Sequence, residues 1–170
     1  MRGPLKLKRQ DEHPPNMIEP KDVSLSNDPH DLDRFVRAQA ADYDRALSEL
    51  RDGKKRSHWM WYVFPQIEGL GHSPMSHRYS IKSAAEARAY LDHPVLGPRL
   101  RECAAVVHNI VGRSALEIFG SPDDLKLRSC ATLFARVSDD GVFEQVLQKY
   151  FNGQHDKETL GLLRATTEAS

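Results

Sequence analysis

The sequence predicts an all-α fold: a single, predominantly helical domain of about six or seven helices behind a disordered N-terminal tail. Three observations lead there. Apolar residues recur at three- and four-residue steps through most of the chain, the spacing of one buried helix face. No stretch alternates polar and apolar residues cleanly enough to read as a strand. Residues favoured at helix starts, chiefly Ser, Asp, Asn and Pro, punctuate the periodic runs. A length of 170 residues suits one domain. A domain of about 140 residues buries roughly two-thirds of its unfolded surface, so it needs no disulfide or metal staple.

Residues 1–27 carry Pro4, Pro14, Pro15 and Pro20 among charges, with few large apolar side chains. Such a segment cannot bury enough surface to offset its ordering entropy and reads as a disordered tail. Its Lys6-Leu7-Lys8-Arg9 patch could attract an acidic partner. The helical domain spans 28–165, and 166–170 reads as a disordered C-terminus.

The first helix has Asn27 or Asp28 as its cap and Pro29 in its first turn, with Asp31 and Asp33 complementing the dipole. Its stripe runs through Leu32, Phe35, Val36, Gln39, Tyr43, Ala46, Leu47 and Leu50, and Gly53 ends it. Ser57 can cap a short helix that Pro65 stops. Ser83 caps another reaching Leu91, with Glu86 placed for a capping box. Pro94 opens a helix with the stripe Leu96, Leu100, Cys103, Val107, Ile110 and Val111. Ser121-Pro122-Asp123-Asp124 starts the helix of Leu127, Cys130, Leu133, Phe134 and Val137. Asp139-Asp140-Gly141 precedes the stripe from Val142 to Phe151. Asp156 begins a last short helix with Leu160 and Leu163.

Composition excludes several functions. Lys plus Arg equals Asp plus Glu, at 24 each, so the basic surplus of a general nucleic-acid binder is missing. No apolar run approaches the roughly 20 residues of a membrane span, and the N-terminus lacks the apolar core of a secretory signal. The cytoplasm is the expected location. Cys103 and Cys130 lie within apolar helical patterns and read as buried small hydrophobes. His72 and His77 have no third ligand at useful spacing, so no metal site is expected.

The unusual stretch runs from Lys54 to Gln66. Six large apolar or aromatic residues, Trp59 to Phe64, leave no solvent face on a helix or a strand. They are either an aromatic core segment with a solvated basic flank or the wall of a ligand pocket. In the pocket reading Lys55, Arg56 and Ser57 hold a phosphate or carboxylate where helix-entrance donors favour an anion. Trp59 or Trp61 then stacks on a flat ring. His58 is the first acid–base candidate, since it titrates near neutrality, and Asp124 is the reserve carboxylate. Gln39 interrupts an apolar stripe, so its amide needs partners inside the domain or in the pocket. Gly69 to Tyr79 reads as a flexible loop, without the spacing of a phosphate-binding motif, that could fold over a ligand.

Four runs carry a resemblance: Asp31 to Gln39, Lys55 to Trp61 continuing through Phe64-Pro65-Gln66, His93 to Gly97, and Ile118-Phe119-Gly120 through Asp124 to Leu127. Together they resemble the bacterial and fungal family known as domain of unknown function 1810, some members of which carry a calpastatin label. The resemblance covers about residues 30–163 and implies a compact helical domain without implying an activity. Cys130-Ala131 stands where the family usually has Ser-Met, which implies a packing change. Recurrence of Gln39, Ser57, His58, Gln66, Tyr79 and Lys126 within the signature tilts the reading toward a site. The order of parts is also faintly similar to the NADAR superfamily, linked to ADP-ribose and N-glycoside chemistry. The resulting expectation is a domain that binds a nucleotide-like or ADP-ribosyl anion without metal or organic cofactor, with N-glycoside hydrolysis as its candidate reaction. The alternative is a non-catalytic module whose aromatic segment anchors a protein partner.

Overall fold

The computed structural model describes residues 27–168, so all of the expected tail over 1–27 except Asn27 lies outside the described residues, as do residues 169–170. The described residues form nine helices. They are α1 (Asp33–Arg51), α2 (Met60–Val63), α3 (Pro74–Arg78), α4 (Ala84–Asp92), α5 (Leu96–Asn109), α6 (Ala115–Phe119), α7 (Asp123–Val137), α8 (Val142–Phe151) and α9 (Lys157–Glu168). The only sheet-like pairing among them is one parallel bridge between Ile67 and Ile81. None of the described helices is long and apolar enough to cross a membrane.

Most start signals act as their chemistry requires, but several act one turn away from the expected place. Asp28 accepts hydrogen bonds from the Leu32 and Asp33 amides at 2.7 and 3.0 Å. It closes a turn over residues 28–32, and α1 begins only at Asp33, leaving Pro29 outside the helix. Ser83 caps α4 by accepting from the Glu86 amide. The return half of the box does not form, because the Glu86 carboxylate turns to Arg34 and the Lys82 amide. At α5 the His93 imidazole accepts from the Val95 and Leu96 amides, and Pro98 sits within the first turn without breaking the helix. At α7 Pro122, not Ser121, occupies the cap position. Asp156 accepts from the Thr159 amide and hydroxyl at 3.0 and 2.5 Å and starts α9 as expected. That helix then runs to Glu168, through the residues 166–168 that read as disordered.

Two short helices were not anticipated. The α3 turn falls inside the glycine loop and is capped by Ser73. The α6 turn carries a complete capping box between Ser114 and Glu117; the Ser-x-x-Glu spacing was present in the sequence as a signal for it.

The core forms where α1 packs on α5, α5 on α4 and α8, and α7 on α4, α8 and α9. An unbroken line of rings runs through it: Tyr79 to Phe35 at 5.8 Å, Phe35 to Tyr90 at 5.1 Å, Tyr90 to Phe134 at 5.5 Å and Phe134 to Phe143 at 5.7 Å. Each such pair adds about 0.5–1.5 kcal/mol beyond its buried area. Cys103 and Cys130 are free and buried, and burial pushes the Cys103 thiol up to about 12, so it stays protonated and inert. Cys130 and Ala131, the pair that departs from the family pattern, are both interior.

One charge sits deep in this frame. Arg34 uses all five guanidinium donors: on the carbonyls of Arg78, His30, Asp31 and Ser80 at 2.7–2.9 Å, and on Glu86 at 3.1 Å. It thereby holds the end of the glycine loop against the start of α1. A second close constraint lies where α4 hands over to α5. A Cβ built on Gly97 would lie 2.0 Å from the Leu91 carbonyl oxygen. Gly97→Ala is therefore expected to lose about 1–3 kcal/mol of stability, because the backbone clash outweighs the better helix propensity of Ala. Denaturant unfolding measures this directly, and a neutral or stabilised variant would contradict the packing.

Candidate functional site

The end of α1 aims a carboxylate at the unusual segment. Gly53, with φ +70°, reverses the chain after α1, and the Lys55 amide then donates to the Ile118 carbonyl at 2.8 Å. This return path lays residues 56–59 over Glu49, whose side chain is 5% exposed. Glu49 accepts from the Arg56 amide at 2.6 Å, the Ser57 amide at 2.8 Å, the Ser57 hydroxyl at 2.5 Å and the Trp59 indole at 3.1 Å. Burial alone would raise its pKa. The Ser57 hydroxyl, the two amides and the indole outweigh burial and hold it at about 2.

The reading of this turn as a ligand's anion site therefore needs correction. The donors are present, and the anion they hold belongs to the chain itself. Sequence reasoning passed over Glu49, although it lies three residues beyond the buried Ala46 and so on the inward side of the helix. Such an acid must find donors or stay neutral.

The other nominated residues divide into separate environments. The Lys55 side chain is buried; its ammonium lies 2.9 Å from Asp123, donates to the Ser57 carbonyl at 2.7 Å and sits 5.2 Å from the centre of the Trp59 ring. Arg56 is exposed and pairs with Asp52. Trp59 is sealed, at 1% exposure, against Phe64. Gln39 is equally interior, donating to the Tyr62 carbonyl at 2.7 Å and the Tyr90 hydroxyl at 3.0 Å while accepting from Arg99. His58 is exposed, and among the described residues its ring makes no hydrogen bond or ion pair. Asp124 has one carboxylate oxygen, Oδ1, that is buried with no hydrogen-bond partner among the described residues. No hydrogen bond or ion pair joins it to His58, so the two are not coupled as an acid–base pair.

Trp61, Gln66 and Tyr79 do come together. With Gly69, Ser76 and His77 they line a small cavity of about 10 Å³, room for about one water. Trp61 is half-buried, and the Lys126 ammonium sits 5.4 Å from the centre of its ring, within cation–π range. Lys126 also reaches Asp123 at 3.4 Å. Asp123, expected only to complement the α7 dipole, is thus the bridge between Lys55 beneath and Lys126 above. The glycine loop that covers the cavity is anchored at both ends. Main-chain hydrogen bonds of 2.8 Å join Gln66 and Glu68 to Ile81, and Arg34 holds Arg78 and Ser80. Its crest at His72, Ser73 and Pro74 is exposed. Among the described residues no three His, Cys, Asp or Glu side chains gather as a metal centre requires.

These features define a class: an all-α domain whose buried Arg34 and Glu49 charges are answered by its own chain, with a half-buried ring-and-cation edge at Trp61 and Lys126. The chain belongs to the family described as protein of unknown function DUF1810, whose model matches residues 29–163. It is similar to the crystal structure of the conserved hypothetical protein Rv1873 from Mycobacterium tuberculosis. The two share 56% sequence identity over 81% of this chain and 99% of that one, with a TM-score of 0.80. No curated protein matches the chain.

Replacing Glu49 by Gln is expected to cost about 2–3 kcal/mol at pH 7, because four donors then lose a charged acceptor. The folded pKa of Glu49 lies below the unfolded value of 4.5. The contribution is accordingly complete above about pH 4.5 and is lost as pH falls toward 2. Denaturation of wild type and Glu49→Gln across pH 2–7 should show the two curves converging at the acid end; a constant gap would show that the carboxylate charge is not what the turn requires.

Proposed function

We propose that this chain is a small-molecule-binding domain for a ligand with a flat ring and an anionic group, nucleotide-like or ADP-ribosyl, and that the ring lies on the Trp61 edge. The observation that carries the proposal is the pairing of a half-exposed indole with the Lys126 ammonium beside it. Trp61 offers a stacking face, Lys126 a positive charge for the anion, and Gln66 and Tyr79 hydrogen-bonding groups at the rim. The small cavity beneath holds about a water, so the ring rests on the outer face of Trp61 rather than inside. Lys55, Arg56, Ser57 and Trp59 take a supporting role, since Glu49, Asp123 and Asp52 already engage them.

Hydrolysis of an N-glycosidic bond is an extension of this reading, with His58 or Asp124 moving the proton as water adds across the carbon–nitrogen bond. Its support is the Asp124 oxygen that is buried without a donor. The alternative, a protein-interaction module anchored by the aromatic segment, draws less support from the geometry. Trp59, Met60, Tyr62, Val63 and Phe64 all face inward, which leaves little of the segment to offer a partner.

Thermal unfolding in the presence of AMP, ADP-ribose and NAD tests the proposal. A ligand at about 100 times its Kd should stabilise the wild type by about 2.7 kcal/mol, a rise in Tm of roughly 5–10 °C for a domain of this size. Lys126→Ala and Trp61→Leu should each remove most of that rise, while Arg56→Ala should keep it. Absence of any shift across the panel, or shifts indifferent to Trp61 and Lys126, would reject the site. Chromatography of ADP-ribose and NAD incubated with the protein separates binding from turnover.

A further inference from the structure

A groove of about 560 Å³ opens between α4, α7 and α9, and neither Trp61 nor Lys126 lines it. Its lining is apolar at Val137, Leu160 and Leu163, and three guanidinium groups stand around it: Arg88 from α4, Arg136 from α7 and Arg164 from α9. The three helices are far apart in sequence and meet because α7 packs on both α4 and α9, which also touch each other. Arg88 and Arg136 make no ion pair, hydrogen bond or ring contact among the described residues. Arg164 touches only the Leu160 carbonyl of its own helix, at 3.4 Å.

For Arg88 and Arg136 that is unusual among the described arginines. The chain carries as many acids as bases, and its other described arginines find a carboxylate, a carbonyl, an amide or a ring. Asp140, four residues beyond Arg136 but past the end of α7, is taken by Arg101 at 2.7 Å. Among the described residues none of these three cations has a paired carboxylate, and around an apolar floor that leaves an electrostatic deficit that an external anion fits.

We propose that this groove is a second ligand site, specific for an organic phosphate, distinct from the Trp61 edge and independent of that assignment. Guanidinium forks match phosphoryl oxygens in geometry and can bind them in a bidentate way. The apolar lining accepts the organic body of the same molecule, and the volume falls in the range of small-molecule sites, about 300–1,000 Å³. An acidic peptide would satisfy the charges, but a groove of this size favours one compact molecule over an extended chain.

The test is a titration of the full chain with ATP, metal-free, followed by backbone amide NMR. Saturable shifts are expected at Ala84, Arg88, Arg136, Val137 and Leu160 to Thr167. Arg88→Gln and Arg136→Gln should each weaken the association about tenfold; both side chains are exposed, so the fold should tolerate the change. Arg45→Gln, an exposed arginine paired with Asp42 on α1, should leave it unaltered. Inorganic triphosphate should bind several-fold more weakly, since it lacks a body for the apolar floor. The proposal is overturned by no saturation up to about 10 mM ATP, or by equal binding to the Arg88→Gln, Arg136→Gln double variant. It is overturned equally if a ten-residue glutamate peptide binds these amides more tightly than ATP. Shifts confined to the surroundings of Trp61 and Lys126 would also overturn it, while supporting the other site.

Discussion

A buried carboxylate organises the turn that leads into the tryptophan-rich segment. Glu49 cannot remain charged inside the fold without donors, because an unpaired interior charge costs several kcal/mol. Its four donors come from three residues within one four-residue stretch of the turn, Arg56, Ser57 and Trp59 (the last through its ring). Satisfying the charge therefore fixes the backbone of the turn, and that in turn places the Trp59 indole in the core. From Trp59 the packing continues through Phe64 to Phe119 on α6. Main-chain pairing of Lys55 with Ile118 closes the same circuit.

Charge then passes outward in an ordered series. Lys55 lies in the interior and needs a carboxylate, which Asp123 supplies from the first turn of α7, where the helix dipole already favours an acid. Asp123 has a second oxygen to offer, and Lys126 takes it one turn later. Lys126 is thus held beside Trp61 by an interaction that begins at the buried end of the segment. Sequential tryptophans with different neighbours, one sealed and one half-open, follow from this arrangement. The seal at Trp59 is structural; the opening at Trp61 is what gives the domain a face suited to a ring.

Arg34 performs the matching task at the other side of the glycine loop. By donating to four carbonyls and to Glu86, it ties the start of α1 to the loop end and to α4. The loop that read as flexible is consequently a short strap with fixed ends and an exposed crest. Movement of the loop is confined to the crest near His72 and Ser73, since displacing the end at Arg78 and Ser80 would strand two guanidinium donors of Arg34 without acceptors.

Local chemistry in the sequence was enough to define the helical class, the inward stripes of the long helices, and the caps at Ser83 and Asp156, because each depends on neighbours within about five positions; Asp28 closes a turn ahead of α1 and does not cap it. The short α6 helix was also legible through Ser114 and Glu117. Side-chain destinations were a different matter. Ser57 was recognisable as a donor for an anion, yet nothing near it in the chain revealed that Glu49 was that anion. Likewise Gln39 could be recognised as an amide in need of partners, but Tyr62 and Tyr90 are 23 and 51 residues away. Whether a polar group in an apolar stripe faces a pocket or another residue is decided by how helices pack, and helix packing brings together residues that sequence spacing keeps apart. Periodicity determines which face of each helix turns inward. Only the assembled core determines what that face meets, and therefore which cations, such as Lys55 and Lys126, find a carboxylate of the chain and which, such as Arg88 and Arg136, have none among the described residues.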